Sequence, residues 1–341
     1  MLAMAMSVSP LLAQSTVQQS KSAVSPGPGP APAPTALPSL QSLENAVRTQ
    51  DYTAVQLRRF RDERGGFVTV QERLEVDANG TERPDYRITF LSVVGELPGS
   101  RVTVKWQRHY LQHSSEFFSH GTFRVRNLSA AVTNYSIHDF GAVTRAGRSA
   151  RRTVVFPNTV DKAIWLIDVD TQTHVPLYAA EYDVQLRLLA EVEAQSFLGS
   201  VVPWVTSLAG STPFASFVAA RTSMGQPAGL VDPNLLVASE YQTEAIHVRV
   251  DPLNGRSTLT MSFTDGVDQF MVVQTPNTSD VFQGLPSSAP GTSTIGRFRD
   301  PAMSALLFWE GGVSFHVAGR GSLLRLDDLA ESVLRQALSS N

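Results

Sequence analysis

The sequence predicts an α+β protein built on antiparallel β-sheet and arranged in two units. Between Arg145 and Phe197 short apolar runs alternate with turn residues, with no helical period; that is the pattern of an antiparallel meander. From Tyr241 to Ala318 the alternation of apolar and polar residues returns, and the chain then closes with one amphipathic helix. The length, 341 residues, suffices for two domains at roughly 150 residues each. No internal repeat of fixed period is present.

Met1–Ala13 is apolar or small throughout and turns polar from Gln14. It resembles the apolar core and cleavage region of a secretory signal, without the usual positive start. It is too short to cross a bilayer, which takes about 20 residues. We therefore expect a signal peptide over 1–20 and a soluble, exported, periplasmic protein. The Pro/Ala/Gly stretch Ser25–Leu37 reads as an extended spacer within a linker over 21–39. The absence of cysteine excludes disulfides and thiolate metal sites.

The first unit is expected over 40–200. Leu40–Val47 forms a short amphipathic helix, with Ser39 as its cap. Tyr52–Arg61 and Phe67–Val76 are strands, and Tyr86–Val94 is a third. Between the last two, in the turn Asp77–Gly80, Asn79-Gly80 signals a hairpin. Arg101–Gly121 is ambiguous: Val102, Val104 and Trp106 alternate as in a strand, whereas the residues from Trp106 onward also suit a helix. Tyr135–Val143 and Arg148–Phe156 are strands, the latter stopped by Pro157. Ala163–Ile167 ends at Asp168 and a polar turn. Val175–Tyr182 and Leu186–Val192 flank a turn at Asp183.

An interdomain linker is expected over 201–240, with a short helix near Phe214–Ala220 and a loop over Gly225–Pro233. The second unit is expected over 241–341. Its strands are Ile246–Val250, Arg256–Phe263, Gln269–Gln274, Leu306–Trp309 and Val313–Ala318. Thr264-Asp265-Gly266 and Glu310-Gly311-Gly312 supply two of the turns, and Thr275–Pro301 reads as a long polar loop. Asp327 is placed to cap the terminal helix, whose apolar stripe is Leu329, Val333, Leu334 and Leu338.

Catalytic signatures are missing. There is no G-x-S-x-G elbow, and Gly311-Gly312 lies in a hairpin rather than before a helix. Asp168 and Asp170 have the character of turn carboxylates. His109, His113, Glu116 and His120 would share one face of a helix, a spacing that metal ligands use. The glutamate that a zinc protease carries between such histidines is absent. An exported hydrolase or metalloprotein using these residues is the outlying reading; the expectation is no catalytic residue, no metal and no cofactor.

Charge is unevenly placed. Between Arg101 and Arg152 nine Lys/Arg face two acids, so this segment carries +7 within a chain of net charge −3. Arg124, Arg126, Arg148, Arg151 and Arg152 are candidates for a surface that meets an anionic partner, or for the solvated face of a sheet. Phe67, Tyr86, Ile88, Phe90, Phe156, Trp165, Leu177 and Tyr182 lie on predicted strands. Each alone reads as core. Together, on a curved sheet only partly covered by helices, they would line an apolar pocket for acyl chains, each buried methylene contributing about 0.8 kcal/mol.

Several runs carry a family resemblance. They are Gly147-Arg148-Ser149-Ala150 leading into a strand, Ile164-Trp165-Leu166, Val175-Pro176-Leu177, and Glu181-Tyr182-Asp183 with the strand to Phe197. In the second unit they are Phe263-Thr264-Asp265-Gly266-Val267, Phe270-Met271-Val272-Val273, and Val313–Arg320 with the terminal helix. In this order they span about two thirds of the chain. They resemble the MucB/RseB family of periplasmic regulators and, more distantly, the LolA lipoprotein carriers. The resemblance implies a half-open antiparallel β-barrel with covering helices, joined to a smaller α/β sandwich-type domain. It implies a binding protein that restrains proteolysis of a membrane-bound anti-sigma factor, or of another envelope protein, and releases it on sensing lipid or envelope stress. A LolA-like carrier of lipid or lipoprotein is the alternative. Nucleic acid is not an expected partner, and contact with a membrane would be peripheral at most.

Overall fold

Two antiparallel sheets organise the protein. The computed structural model describes residues 37–61, 66–80, 84–108, 110, 122–159, 162–201, 211–235, 241–250, 255–276, 296–300, 303–310, 312–319 and 323–339. The first half contains α1 (Leu40–Thr49), β1 (Tyr52–Arg61), β2 (Phe67–Asp77), β3 (Asp85–Val93), α2 (101–108), α3 (Leu128–Asn134), β4 (Tyr135–Arg145), β5 (Arg148–Pro157), β6 (Ile164–Asp170), β7 (Pro176–Tyr182) and β8 (Leu188–Leu198). The second contains β9 (Ser211–Pro213), α4 (Phe217–Ser223), β10 (Gln242–Val250), β11 (Ser257–Thr264), β12 (Gln269–Pro276), β13 (Gly296–Asp300), β14 (Met303–Glu310), β15 (Val313–Gly319) and α5 (Leu323–Ser339).

The first sheet has the order β3-β2-β1-β8-β7-β6-β5-β4. Two meanders, β1–β3 and β4–β8, join where β1 pairs with β8. β3 and β4 are the two ends, so the sheet stays open. Five of its pairings shift register, at Val55/Gln56, Gln71/Glu72, Asp139/Gly141, Asp168/Val169 and Glu181/Tyr182; each such irregularity bends and twists its strand. The result is the expected half-open barrel. In hairpin β2–β3 the last strand pair is Asp77 with Asp85; Gly80, in the connection, has φ +79° and donates its N–H to Arg48 O at the end of α1.

Alternation assigns the faces. The inner face carries Ala54, Gln56, Arg58 and Phe60 of β1 opposite Leu74, Glu72 and Val70 of β2, and Trp165, Ile167, Leu177 and Ala179 farther along. Two groups of side chains cover it. Leu40 and Leu43 of α1, Phe123 and Val125, and Ala131 of α3 pack on Val155, Trp165, Ile167 and Val169. Trp106 and Tyr110 pack on Phe60, Val70 and Val93. α1 starts with reciprocal caps, Ser39 and Ser42 each accepting from the other's backbone N–H, which satisfies donors the first turn leaves open.

The second sheet runs β13-β14-β15-β12-β11-β10-β9. One face is its core: Ile246, Leu259, Met261, Phe263, Val272, Phe308, Phe315 and Val317 lie against Phe217 and Ala220 of α4 and Ala330 and Val333 of α5. Buried Gln274 accepts from Val231 N–H and donates to Val231 O, so a side chain completes the hydrogen bonding of a passing loop.

Several sequence expectations need correcting. Of the two readings left open for Arg101–Gly121, residues 101–108 take the helical one: Thr103, Trp106 and Tyr110 turn inward while Val102 and Val104 are exposed, a period of three to four. The stretch 201–240 is not merely a connection, because β9 extends the second sheet and Phe217, Leu230 and Val231 join its core. The short helix sits at Phe217–Ser223, capped by Ser216. β13 falls within the expected loop Thr275–Pro301. Leu186 has φ +59° and belongs to the turn, while β8 runs on to Leu198. α5 begins at Leu323, one turn before Asp327.

Candidate functional site

Strand parity divides the eight candidate pocket residues. Tyr86, Ile88, Phe90, Trp165 and Leu177 are on the inner face. Phe67, Phe156 and Tyr182 are on the outer one, because their neighbours Val68, Val155 and Glu181 point inward. Phe156 is 37 % exposed and meets His138 edge-on at 5.6 Å. Phe67 lies beneath the Arg59 guanidinium, 4.3 Å from its ring centre. Trp165 is core, packed edge-on to Phe123 at 5.3 Å. Phe90 meets Tyr110 at 5.5 Å. Of the eight, Leu177 lines the open space on the inner face.

That space is a pair of adjoining clefts. One is bounded by Tyr52, Ala54, Gln56, Leu74, Phe123, Leu177, Val192, Ala194 and Phe197 and encloses about 390 Å³, including volume open to solvent. The other is bounded by Leu43, Ala46, Val47, Val76, Pro84, Arg124 and Val125 and encloses about 450 Å³ on the same measure. They share Tyr52, Thr122, Phe123, Val175 and Pro176. The walls are aliphatic and aromatic, as in small-molecule sites. Sequence reasoning missed most of them. Ala54, Leu74 and Val192 were within reach, since strand alternation sets their face. The segment 122–125 has no period to reveal it.

A buried polar cluster adjoins the cleft floor. Glu72 accepts from Arg58 Nε and Nη2 at 3.0 and 2.7 Å, from Gln56 Nε2 at 2.5 Å and from Tyr110 Oη at 2.5 Å. Burial alone would lower the Arg58 pKa, but Glu72 and Tyr110 outweigh it and raise it. Burial and the Glu72 charge push the Tyr110 phenol well up. The cluster is a closed ion pair that pins α2 to the sheet.

The candidate basic surface is largely matched by acids from neighbouring strands. Arg148 donates to both carboxylate oxygens of Asp170 at 2.9 Å, and Arg151 pairs with Asp139. Arg152 donates to Asp168 at 2.8 and 3.0 Å. Arg145 bridges Asp168 and Glu193 at 2.5 and 2.6 Å. Arg126 is buried on Glu244 at 3.2 Å. Burial would raise Asp168, yet the hydrogen bonds from Arg152 and Arg145 hold it below the usual carboxylate range. Arg124 stands apart in lining the cleft. Burial lowers its pKa to about 9, with the like charge of Arg126 adding to the effect.

The two sheets meet at the β11–β12 turn. Asp265 Oδ2 accepts from Lys162 Nζ at 2.5 Å and from Tyr135 Oη at 2.9 Å, and its Oδ1 accepts from the N–H groups of Val267 and Asp268. Gly266 O accepts from Arg126 N–H at 2.8 Å. Val267 enters the core of the first sheet. Segment 122–127 thus touches both the cleft and the second sheet.

His109, His113, Glu116 and His120 lie outside the described residues. Among the described residues no group of three or more histidines and acids is placed to hold a metal, and no helix is long and apolar enough to cross a membrane. No family model and no curated protein matches the sequence. Solved structures do match. A crystal structure of MucB superposes with a TM-score of 0.50 at 14 % identity, over 86 % of this chain and 95 % of that one. The MucA/MucB complex from Pseudomonas aeruginosa gives 0.45 at 13 % identity, over 87 % and 95 %. A MucB structure in complex with MucA(peri) gives 0.46 at 12 % identity, over 85 % and 95 %. This chain, an open eight-stranded sheet that meets a seven-stranded, helix-covered one at a turn, thus has a MucB-like fold.

Proposed function

We propose that this chain is an exported, periplasmic binding protein that holds the apolar part of an amphiphile in the cleft of its first sheet and engages an envelope polypeptide, as a regulator acting on an anti-sigma factor does. The observation that carries the reading is the apolar cleft left on the inner face of a sheet that never closes. Its walls are Leu74, Phe123, Leu177, Val192 and Phe197, which suit an acyl chain. Each methylene buried there would contribute about 0.8 kcal/mol before ordering costs. No bond-making group is needed for such a task. The MucB-like fold supports the same reading, and the resemblance to that family supplies the class of polypeptide partner.

The test is direct. Protein purified from an exporting host is extracted with organic solvent and the extract analysed by mass spectrometry, in parallel with affinity capture of envelope proteins. A recovered amphiphile near one equivalent, together with a captured membrane-anchored regulator, is the expected result. Protein that is reproducibly empty and captures nothing sinks the reading.

A further inference from the structure

Whatever the cleft holds, we propose that the turn leading into α2, together with the outward face of that helix, is a membrane-contact patch: Leu97 enters the acyl region of a bilayer while Arg101, Lys105 and Arg108 lie over its anionic head groups.

The turn is built to hold apolar side chains in water. Residues 94–99 are exposed one after another, yet both roots of the segment are fixed, by buried Val93 on one side and buried Thr103 and Trp106 on the other. Two tight turns follow each other. Glu96 N–H donates to Val93 O at 3.2 Å and Ser100 N–H to Leu97 O at 3.1 Å. Gly95 and Gly99 hold the third place of these turns with φ +83° and +80°, and Pro98 the second place of the latter, the pattern of type II turns. Ser100 Oγ accepts from Thr103 N–H at 3.2 Å, and Thr103 Oγ1 donates to Leu97 O at 3.0 Å. On this frame Leu97 is 78 % and Val94 55 % exposed, and Val102 and Val104 are exposed beyond them. A single exposed leucine on a loose loop means little; an apolar cluster on a hydrogen-bonded prominence marks a contact surface.

Charge and shape name the occupant. Arg101, Lys105 and Arg108 are spaced i, i+4 and i+7, so they share the face of α2 opposite Thr103 and Trp106, and all three are exposed. Glu96 is the one acid between 94 and 108, and it accepts from the Ser100 hydroxyl. A helical peptide partner needs a groove, whereas this is a raised turn with its apolar residues foremost and its cations beside them. That arrangement suits the interface of a bilayer carrying anionic lipid, where apolar tips enter and Lys/Arg remain at head-group level.

Sedimentation of the full-length protein with vesicles tests this, using phosphatidylglycerol and phosphatidylcholine in equal parts against phosphatidylcholine alone. Binding is expected to the anionic vesicles and to weaken as salt is added. Arg101→Ser/Arg108→Ser should weaken it about fivefold per cation removed, and Leu97→Ser about tenfold. Phe140→Ser, which removes a comparably exposed ring on β4, should change nothing. The chain has no cysteine, so Leu97→Cys takes one environment-sensitive fluorophore, whose emission should shift to the blue on the anionic vesicles, while the same label at Phe140→Cys stays water-like. A label at 97 that remains in water on sedimented vesicles overturns the proposal. So does binding that ignores phosphatidylglycerol, or that survives both Leu97→Ser and Arg101→Ser/Arg108→Ser. If neither vesicle binds and Leu97→Ser instead abolishes capture of an envelope polypeptide, the patch is a protein dock and the bilayer assignment falls.

Discussion

Asp168 shows how a residue's meaning changes between sequence and structure. In the sequence it ends an apolar run and reads as a turn former. In the fold it is fully buried on β6 and receives three hydrogen bonds from two arginines, Arg145 and Arg152. Asp168→Asn leaves two guanidiniums facing a neutral amide, and it should cost about 2 kcal/mol at neutral pH, measured by urea unfolding. The native carboxyl titrates below its unfolded value of about 3.9, so its contribution is complete above that pH. The contribution is lost as pH falls through the lower native value, so the gap between variant and wild type should shrink on acidification below about pH 4. A gap that widens there would refute the assignment. At this scale the pocket set mixed both faces of the sheet: Phe67, Phe156 and Tyr182 were chosen for their chemistry, one step along a strand reverses direction, and of the eight residues Leu177 lines the cleft. The basic run looked like a surface because its acids, Asp168, Asp170 and Glu193, follow it in the sequence and reach it only when the strands pair.

At the scale of elements, most strands were legible because their runs alternate and their turns carry Gly, Asn or Asp. Asn79-Gly80 is the clearest case. α2 was not, since Val102, Val104 and Trp106 imitate alternation; only the inward set Thr103, Trp106 and Tyr110 exposes the helical period. β9, three residues long, has no pattern of its own and exists through its pairing with β10. The β11–β12 turn was visible as a turn but not as a contact. Gly266 has φ +108°, and a Cβ there would lie 2.2 Å from Ala131 N. Gly266→Ala therefore meets both a backbone conformation that L-residues avoid and the backbone in the middle of α3. A loss of about 3 kcal/mol is expected, seen as a lowered thermal midpoint; an unchanged midpoint would mean that the turn is not seated against α3.

For the molecule as a whole, the Lys162–Asp265 pair is the joint between the sheets. Both side chains are fully buried, and the ammonium also lies 5.2 Å from the Tyr241 ring centre. Removing one partner of such a pair is costly because the other stays buried. Lys162→Met should lose about 3 kcal/mol, and amide exchange at Arg126, whose N–H is held by Gly266 O, should accelerate while β12 stays protected. The double variant Lys162→Met/Asp265→Leu should lose less than the two single losses added together. Additive losses, or exchange at Arg126 that does not change, would remove the joint from this description.

The seating of Val267 has a consequence for heredity. A side chain encoded late in the gene completes a core that is otherwise encoded early. A gene broken between codons 201 and 241 would yield a front piece with an unfilled socket beside Ala131 and Tyr135, and a back piece with a bare, acidic prong. Neither fragment can be shuffled onto another scaffold as a finished module, so socket and prong must drift in step, and substitutions at 126–135 should be tolerated only alongside compensating ones at 264–268.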